Sequence, residues 1–427
     1  MDPSTTDFET VPLAAPASSS AASSLLVSLC PLTVEALQTM LSNLSAAFPG
    51  ESILVATPDA VPNSQSSPGL GSLHLIPYSP ATPALGGWAL SAADFLNTYK
   101  LMQDYKATVC LLLGPEAQSL TPDALRALAG SALVGTDLTT SSYNLGPRDG
   151  LVNSAILYPV TRALFGTRAR YPLSIDLALS TRMAERLAIA AQSFTVANQN
   201  AVLLWPIAEA AAAGLSLAEV SIGSRILPQP DDADLNTLLA QVVGSFFADI
   251  DSKASFWQRA RLAYFPRKQA AAPPTVPPDP STIAPEIPGL PPMLDYFRLA
   301  YTNLHEIWSL VLPPNSLLGL KKLSQMPPAS FRMSDALWVR IVYDFLLAYR
   351  LRTLNRGHLL GALTPLYLAW VASHLLMTSN GVQPGNDVQP GNTAITPKAH
   401  IEALAIAFET DKPYLVSRWR WPDRFNP

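Results

Sequence analysis

The segment GLVNSAILYPVTRALFGTRARYPLSIDLALSTRMAER, residues 150–186, carries the densest pattern in this chain. Apolar residues at helical spacing predict one helix over Asn153–Phe165 and a second over Ser180–Ser193. Between them, Asp176 closes the run Pro172-Leu173-Ser174-Ile175 at a predicted strand-to-helix junction, where a carboxylate ordinarily caps a helix N-terminus. Arg162, Arg168 and Arg170 crowd the end of the first helix. Arginines there ordinarily cap carbonyls or face water.

Upstream of this segment, short apolar runs alternate with helical periodicity. Strands are predicted at Ser24–Cys30, Ser52–Ala56, Leu73–Ile76 and Thr108–Leu113, and helices at Val34–Phe48 and Ser91–Tyr105. That order predicts an α/β fold with an open, mainly parallel sheet, whose ligands sit beyond the carboxyl ends of the strands. Gly114-Pro115-Glu116 falls at such an end. Downstream, a helix is expected at Val202–Ala213, a strand at Leu217–Ile222, and a helix over Asp234–Ile250 with Asp231 or Asp232 near its N-terminus.

Residues 266–292, PRKQAAAPPTVPPDPSTIAPEIPGLPP, read as a stiff proline-rich tether. Beyond it, Leu294–Leu312, Ser334–Thr353 and Leu359–Met377 are long and apolar-periodic, so the C-terminal part is expected to be helical. The expected division is a disordered tail over 1–23, an α/β domain over 24–265, the linker, and a helical domain over 293–427. The pentapeptide VQPGN, twice around Asp387, reads as a duplicated surface loop.

Composition narrows the function classes. A chain of 427 residues with 48% hydrophobic and 14% charged content builds a large core. Its net charge of −4 offers no basic footprint, so nucleic acid is excluded as an expected partner. Cys30 and Cys110 lie in apolar runs and read as buried thiols of a reducing, cytoplasmic compartment. The run Leu359–Met377 is broken by Thr364, Pro365, Ser373 and His374, which favours a buried helix over a transmembrane span. His74, His358, His374 and His400 lack paired spacing and read as structural. Trp338, Tyr343, Tyr367 and Trp370 read as core packing, and Arg418-Trp419-Arg420-Trp421-Pro422 as lying against the α/β domain.

Four segments in the same order resemble a known family: LLLGPEAQSLTP (Leu111–Pro122), NSAILYPVTRALFG (Asn153–Gly166), QVVGSFF (Gln241–Phe247) and VYDFLLA (Val342–Ala348). The family is the retaining GT-A-fold glycosyltransferases of the mannosylglycerate synthase and glucosyl-3-phosphoglycerate synthase type, including bacterial relatives. The resemblance implies a GT-A domain followed by a smaller helical region, a homodimer through that region, a nucleotide-sugar donor and a small anionic, glycerate-like acceptor. It also implies Mg²⁺ or Mn²⁺ on an Asp-x-Asp, because a departing diphosphate needs a divalent cation held by hard oxygen ligands.

The ligand positions read differently here. The two acids correspond to Gly114 and Glu116, and the histidine after a Gly-x-Lys-Ile strand end corresponds to Leu227 after Gly223-Ser224-Arg225-Ile226. The nucleotide-side Ser-Asp-Gly becomes Thr57-Pro58-Asp59. By the resemblance, Asp176 is the candidate catalytic carboxylate, facing the acceptor. Glu116 and Asp59 are candidates for the donor, and Arg162, Arg168 and Arg170 for the anionic acceptor. Arg225 or Lys100 is expected to steady the diphosphate in place of the cation. No metal ligand set is expected. Two readings follow: sugar transfer with a lost or weakened metal site, or a catalytically inactive homologue serving as a binding or regulatory subunit.

Overall fold

The structure, a computed structural model, describes residues 24–58, 72–80, 88–146, 148–195, 202–228, 234–259, 289–379 and 395–421. Asp59, the residues 1–23, the VQPGN repeat and nearly all of the proline-rich linker lie outside the described residues.

Among the described residues, seven strands form one sheet: β1 Leu25–Leu29, β2 Ile53–Thr57, β3 Leu73–Pro77, β4 Val109–Leu113, β5 Leu138–Ser142, β6 Asp176–Ser180 and β7 Leu217–Ser221. Their order is β3-β2-β1-β4-β6-β5-β7. All neighbours pair in parallel except β6, which runs antiparallel to both β4 and β5. Around the sheet lie α1 Val34–Ala47, α2 Ala92–Asp104, α3 Pro122–Leu133, α4 Tyr158–Phe165, α5 Thr181–Thr195 and α6 Pro206–Ala213. Then come α7 Leu235–Ser252, α8 Ala254–Trp257, α9 Leu290–Asn303, α10 His305–Ser309, α11 Pro314–Ser324, α12 Asp335–Leu351, α13 Arg356–Ser379 and α14 Pro397–Arg420. This is the expected α/β sheet followed by a helical C-terminal region.

Several local readings are corrected. The strand β5 was not anticipated, because Leu138-Thr139-Thr140-Ser141-Ser142 is polar by sequence. Two of its buried hydroxyls bond inside the sheet, Ser141 Oγ donating to the Asp176 carbonyl at 2.9 Å and Thr140 Oγ1 to the Ala218 carbonyl at 3.4 Å. Asp176 caps no helix; it opens β6, paired with Leu113 at the carboxyl end of β4. The cap of α7 is Asp234 itself, whose carboxylate accepts from the Thr237 amide at 2.7 Å, and α6 starts only at Pro206, where a proline's missing N–H costs nothing.

Asn153–Leu157 is a π-helical turn leading into α4, not a plain helix. Pro159 supplies the reason. It has no N–H to give the Ala155 carbonyl four residues back, and the Tyr158 amide instead reaches Asn153. The orphaned Ala155 carbonyl accepts the indole N–H of Trp338 on α12 at 2.9 Å. A proline in the α/β part therefore creates the acceptor that anchors a tryptophan of the helical part.

Two apolar cores result. One lies between the sheet and α1, α2, α3 and α5. The other gathers the C-terminal helices together with α4, α7 and α8. Trp338, Tyr343, Tyr367 and Trp370 are all buried in this second core, as expected. The helix α13 is long and apolar enough to cross a membrane, yet it is almost wholly covered by its neighbours, among them α7, α9 and α12. Trp419 near the chain end packs edge-on against Trp257 of α8, ring centroids 4.9 Å apart. Cys30 and Cys110 are buried and free, and burial pushes both thiols well above their ordinary range.

The contact between α4 and α14 is closed by Arg162. Its guanidinium pairs with Glu409 at 2.9 Å and with Glu402, and it donates to the Tyr158 hydroxyl at 3.2 Å. Arg162 is only 3% exposed and Glu409 11%, so deleting the cation strands a half-buried carboxylate. Arg162→Ala is expected to cost about 3 kcal/mol in urea unfolding. A change below about 0.5 kcal/mol would show that the clamp contributes nothing.

Candidate functional site

At the carboxyl end of β4 the chain turns through Gly114-Pro115-Glu116, and the first residue of β6, Asp176, lies alongside. Both the Asp176 carboxylate and the Arg225 guanidinium are fully buried, and they form a two-point pair: Nε to Oδ2 at 3.0 Å and Nη2 to Oδ1 at 3.1 Å. The remaining guanidinium hydrogens go to the Pro115 carbonyl at 2.7 Å, the Ser119 hydroxyl at 2.9 Å, the Ile226 carbonyl at 2.8 Å and the Glu116 carbonyl. All five N–H groups of Arg225 are thus engaged. Tyr143 donates a further hydrogen bond to Asp176 at 3.3 Å.

Local structure delivers Arg225 to this point. After β7 the backbone passes through Gly223 at φ +75°, a left-handed turn that glycine tolerates, and the next residues fold back beneath the end of β4. Glu116 adopts φ +60°, which is unfavourable for a residue with a side chain. The twist aims its carbonyl at Arg225, while its carboxylate turns aside to accept from Gln118 Nε2 at 2.7 Å.

Gly114 and Ile175 are sterically coupled. The Gly114 amide donates to the Ile175 carbonyl at 2.8 Å. A Cβ on residue 114 would stand 2.8 Å from the Ile175 Cβ and 2.9 Å from its carbonyl oxygen. No side chain fits at 114 while isoleucine occupies 175. Gly114→Asp is expected to destabilise the fold by about 2–3 kcal/mol, and adding Ile175→Gly to recover part of it. Chemical denaturation of the two variants checks this; a neutral Gly114→Asp would contradict the coupling.

A divalent cation does not fit these residues. Gly114 bears no ligand, Leu227 is apolar, the Asp176 carboxylate is saturated by a guanidinium, and a positive charge already occupies the space between the strand ends. Among the described residues, no group of three His, Cys, Asp or Glu side chains is arranged to hold a metal.

Sequence reasoning singled out three arginines as a group, and the structure separates them. Arg162 is spent on Glu402 and Glu409. Arg168 and Arg170 instead line a cleft of about 950 Å³ between the ends of β5 and β7 and the start of α14. Arg170 lies over the Tyr158 ring, 4.6 Å from its centroid, and 3.8 Å from Glu402. Asn153, Tyr171, Lys398 and Glu402 also face this cleft. Asp176, Glu116 and Arg225 do not line it, and Lys100 lies exposed on α2.

The cleft wall holds a pair that sequence spacing could not reveal. His374 of α13 and His400 of α14 bring their Nδ1 atoms within 2.6 Å, and His400 Nε2 lies 3.1 Å from the Asp335 carboxylate. Both rings are buried and stacked beside Trp370. Burial, then the neighbouring His400, lowers the His374 pKa to about 4 against only partial opposition from Asp335. The unfolded chain takes up this proton near pH 6.5 and the folded chain does not. Its contribution to stability is therefore complete above pH 6.5 and is lost as pH falls towards 4, by roughly 2–3 kcal/mol. Unfolding at stepped pH should show this slope in the native chain and a shallower one in His374→Phe; equal slopes would refute the assignment.

With the geometry in view, comparisons with known proteins add the following. No known protein-family profile matches the chain, and no curated protein sequence matches it. Part of the chain is similar to solved glucosyl-3-phosphoglycerate synthases. One, from Mycobacterium tuberculosis in complex with phosphoglyceric acid, shows 16% identity, a TM-score of 0.33, and coverage of 54% of this chain and 80% of that one. The same enzyme with Mn²⁺, uridine-diphosphate-glucose and phosphoglyceric acid gives the same values. A further structure described as a mycobacterial protein shows 14% identity, a TM-score of 0.34, and coverage of 53% and 74%. Likeness this distant transfers neither ligand nor residue role.

Proposed function

We propose that this chain is a glycosyltransferase-like protein that performs no metal-dependent sugar transfer and acts as a binding or regulatory subunit for a small anionic molecule. One observation carries the reading: the buried Arg225 guanidinium stands, with every N–H engaged, between the Asp176 carboxylate and the Glu116 carbonyl. There the sequence resemblance places a cation and a diphosphate. Arg225 cannot serve a diphosphate without abandoning six hydrogen bonds in a site that excludes water, and Asp176 cannot act on a substrate it does not meet.

What remains open to a ligand is the cleft between the two cores. Arg170, Lys398 and the positive end of α14 offer an anion partners there, beside the carboxylates of Asp149, Glu219 and Glu402, and Asn153 and Tyr171 offer polar contacts. This supports a small acidic ligand of the size the resemblance implies for an acceptor, held without chemistry at the strand ends.

The test is calorimetry and thermal unfolding with uridine- and guanosine-diphosphate hexoses, with and without Mn²⁺, alongside small organic phosphates and hydroxy acids. The expected outcome is no Mn²⁺-dependent stabilisation by any nucleotide sugar. A small anion at one hundred times its Kd should stabilise by about 2.7 kcal/mol, and Arg170→Ala should abolish the effect. Transfer or hydrolysis of a nucleotide sugar by the purified chain would overturn the proposal.

A further inference from the structure

Resting on the cleft as a small-anion site, we propose that His374 receives a ligand hydroxyl there, its second ring nitrogen held as an acceptor by hydrogen bonds running from Asp335 through His400. Asp335 opens α12, and as a carboxylate it only accepts. His400 Nε2, 3.1 Å away, therefore carries the proton. In the uncharged form of the ring, a proton on Nε2 leaves Nδ1 bare. That nitrogen, 2.6 Å from His374 Nδ1, accepts the His374 proton. His374 is left with a bare Nε2, and among the described residues this atom has no hydrogen-bond partner.

The arrangement is built rather than incidental. His374 is 1% exposed and lines the cleft, and His400 behind it is 3% exposed. The His374 ring is fixed by stacking on Trp370 at 5.1 Å and 12°. Burial, the largest cause of its lowered pKa, keeps it neutral at physiological pH. The charged groups sharing the cleft are Lys398 and Glu402 from α14 and Arg168, Arg170, Asp149 and Glu219 from the α/β side. A bare imidazole nitrogen cannot pair with a carboxylate or phosphate oxygen, because both only accept. The ligand atom opposite His374 must therefore bring its own hydrogen. The ligand class is a small anion bearing a hydroxyl: the acidic group towards Arg170 and the start of α14, the hydroxyl towards His374.

Glycerol 1-phosphate and propyl phosphate isolate this contact, since the two share an anion and a chain length and differ in hydroxyls. Calorimetry on the full chain at pH 7.5 is expected to favour glycerol phosphate by roughly fivefold to tenfold, the worth of one hydrogen bond. The preference should vanish in His374→Phe, which retains an aromatic ring on Trp370. In the unaltered protein, ¹⁵N spectra of labelled histidine should show His374 Nε2 unprotonated and shifted when glycerol phosphate binds. This readout holds even if the variant fails to fold. Equal binding of the two phosphates, a preference that survives in His374→Phe, or a protonated Nε2 would each overturn the hydroxyl contact while leaving the anion site standing. Binding of neither phosphate would overturn both.

Discussion

A buried charge must be neutralised where it lies, and the Arg225–Asp176 pair imposes that condition on the carboxyl edge of the sheet. Taking a guanidinium and a carboxylate out of water costs several kcal/mol per ion, and the cost is met only because every remaining N–H finds an oxygen. Those oxygens come from Pro115, Glu116, Ser119 and Ile226. The unfavourable backbone of Glu116, the left-handed turn at Gly223 and the bare backbone at Gly114 all follow from assembling this shell.

The second constraint joins the two cores. Pro159 removes one amide, the helix relaxes into a π turn, and the freed Ala155 carbonyl binds Trp338. Arg162, one turn on, spans to Glu402 and Glu409 of α14. Tyr414 and Arg418, further along the same helix, donate to the buried Asp344 of α12, each at 2.7 Å. These bonds fix the start of α14 over the ends of β5 and β7, and the cleft is the space that this placement leaves. Its polar lining is therefore set by how the two cores meet, with Arg170 from one side and Lys398, Glu402 and His374 from the other.

The sheet was largely legible because β1, β2, β3 and β4 are short apolar runs, and in β1 and β4 burial on both faces leaves little freedom for polar residues. The strand β5 was not, because its run is polar and the carbonyls that accept from Thr140 and Ser141 lie far away in sequence. Asp176 was visible as an unusual residue but not as the start of an antiparallel strand, since the reversal of β6 is a property of pairing rather than of composition. The arginines read as one cluster because they lie within nine residues. The turn at Gly166, φ +68°, sends Arg162 to the helices and Arg168 and Arg170 to the cleft.

By itself the sequence determined the alternation of strand and helix, the helical C-terminal part and the buried aromatic core. These are properties of local periodicity and of side-chain chemistry at single positions. The tertiary structure alone decided that Arg225 neutralises Asp176, that Gly114 yields its space to Ile175, and that two histidines 26 residues apart share a hydrogen bond beside a cleft. The physical reason is that charge compensation, steric exclusion and hydrogen-bond polarity act over a few ångströms in space, between residues that the chain order keeps apart.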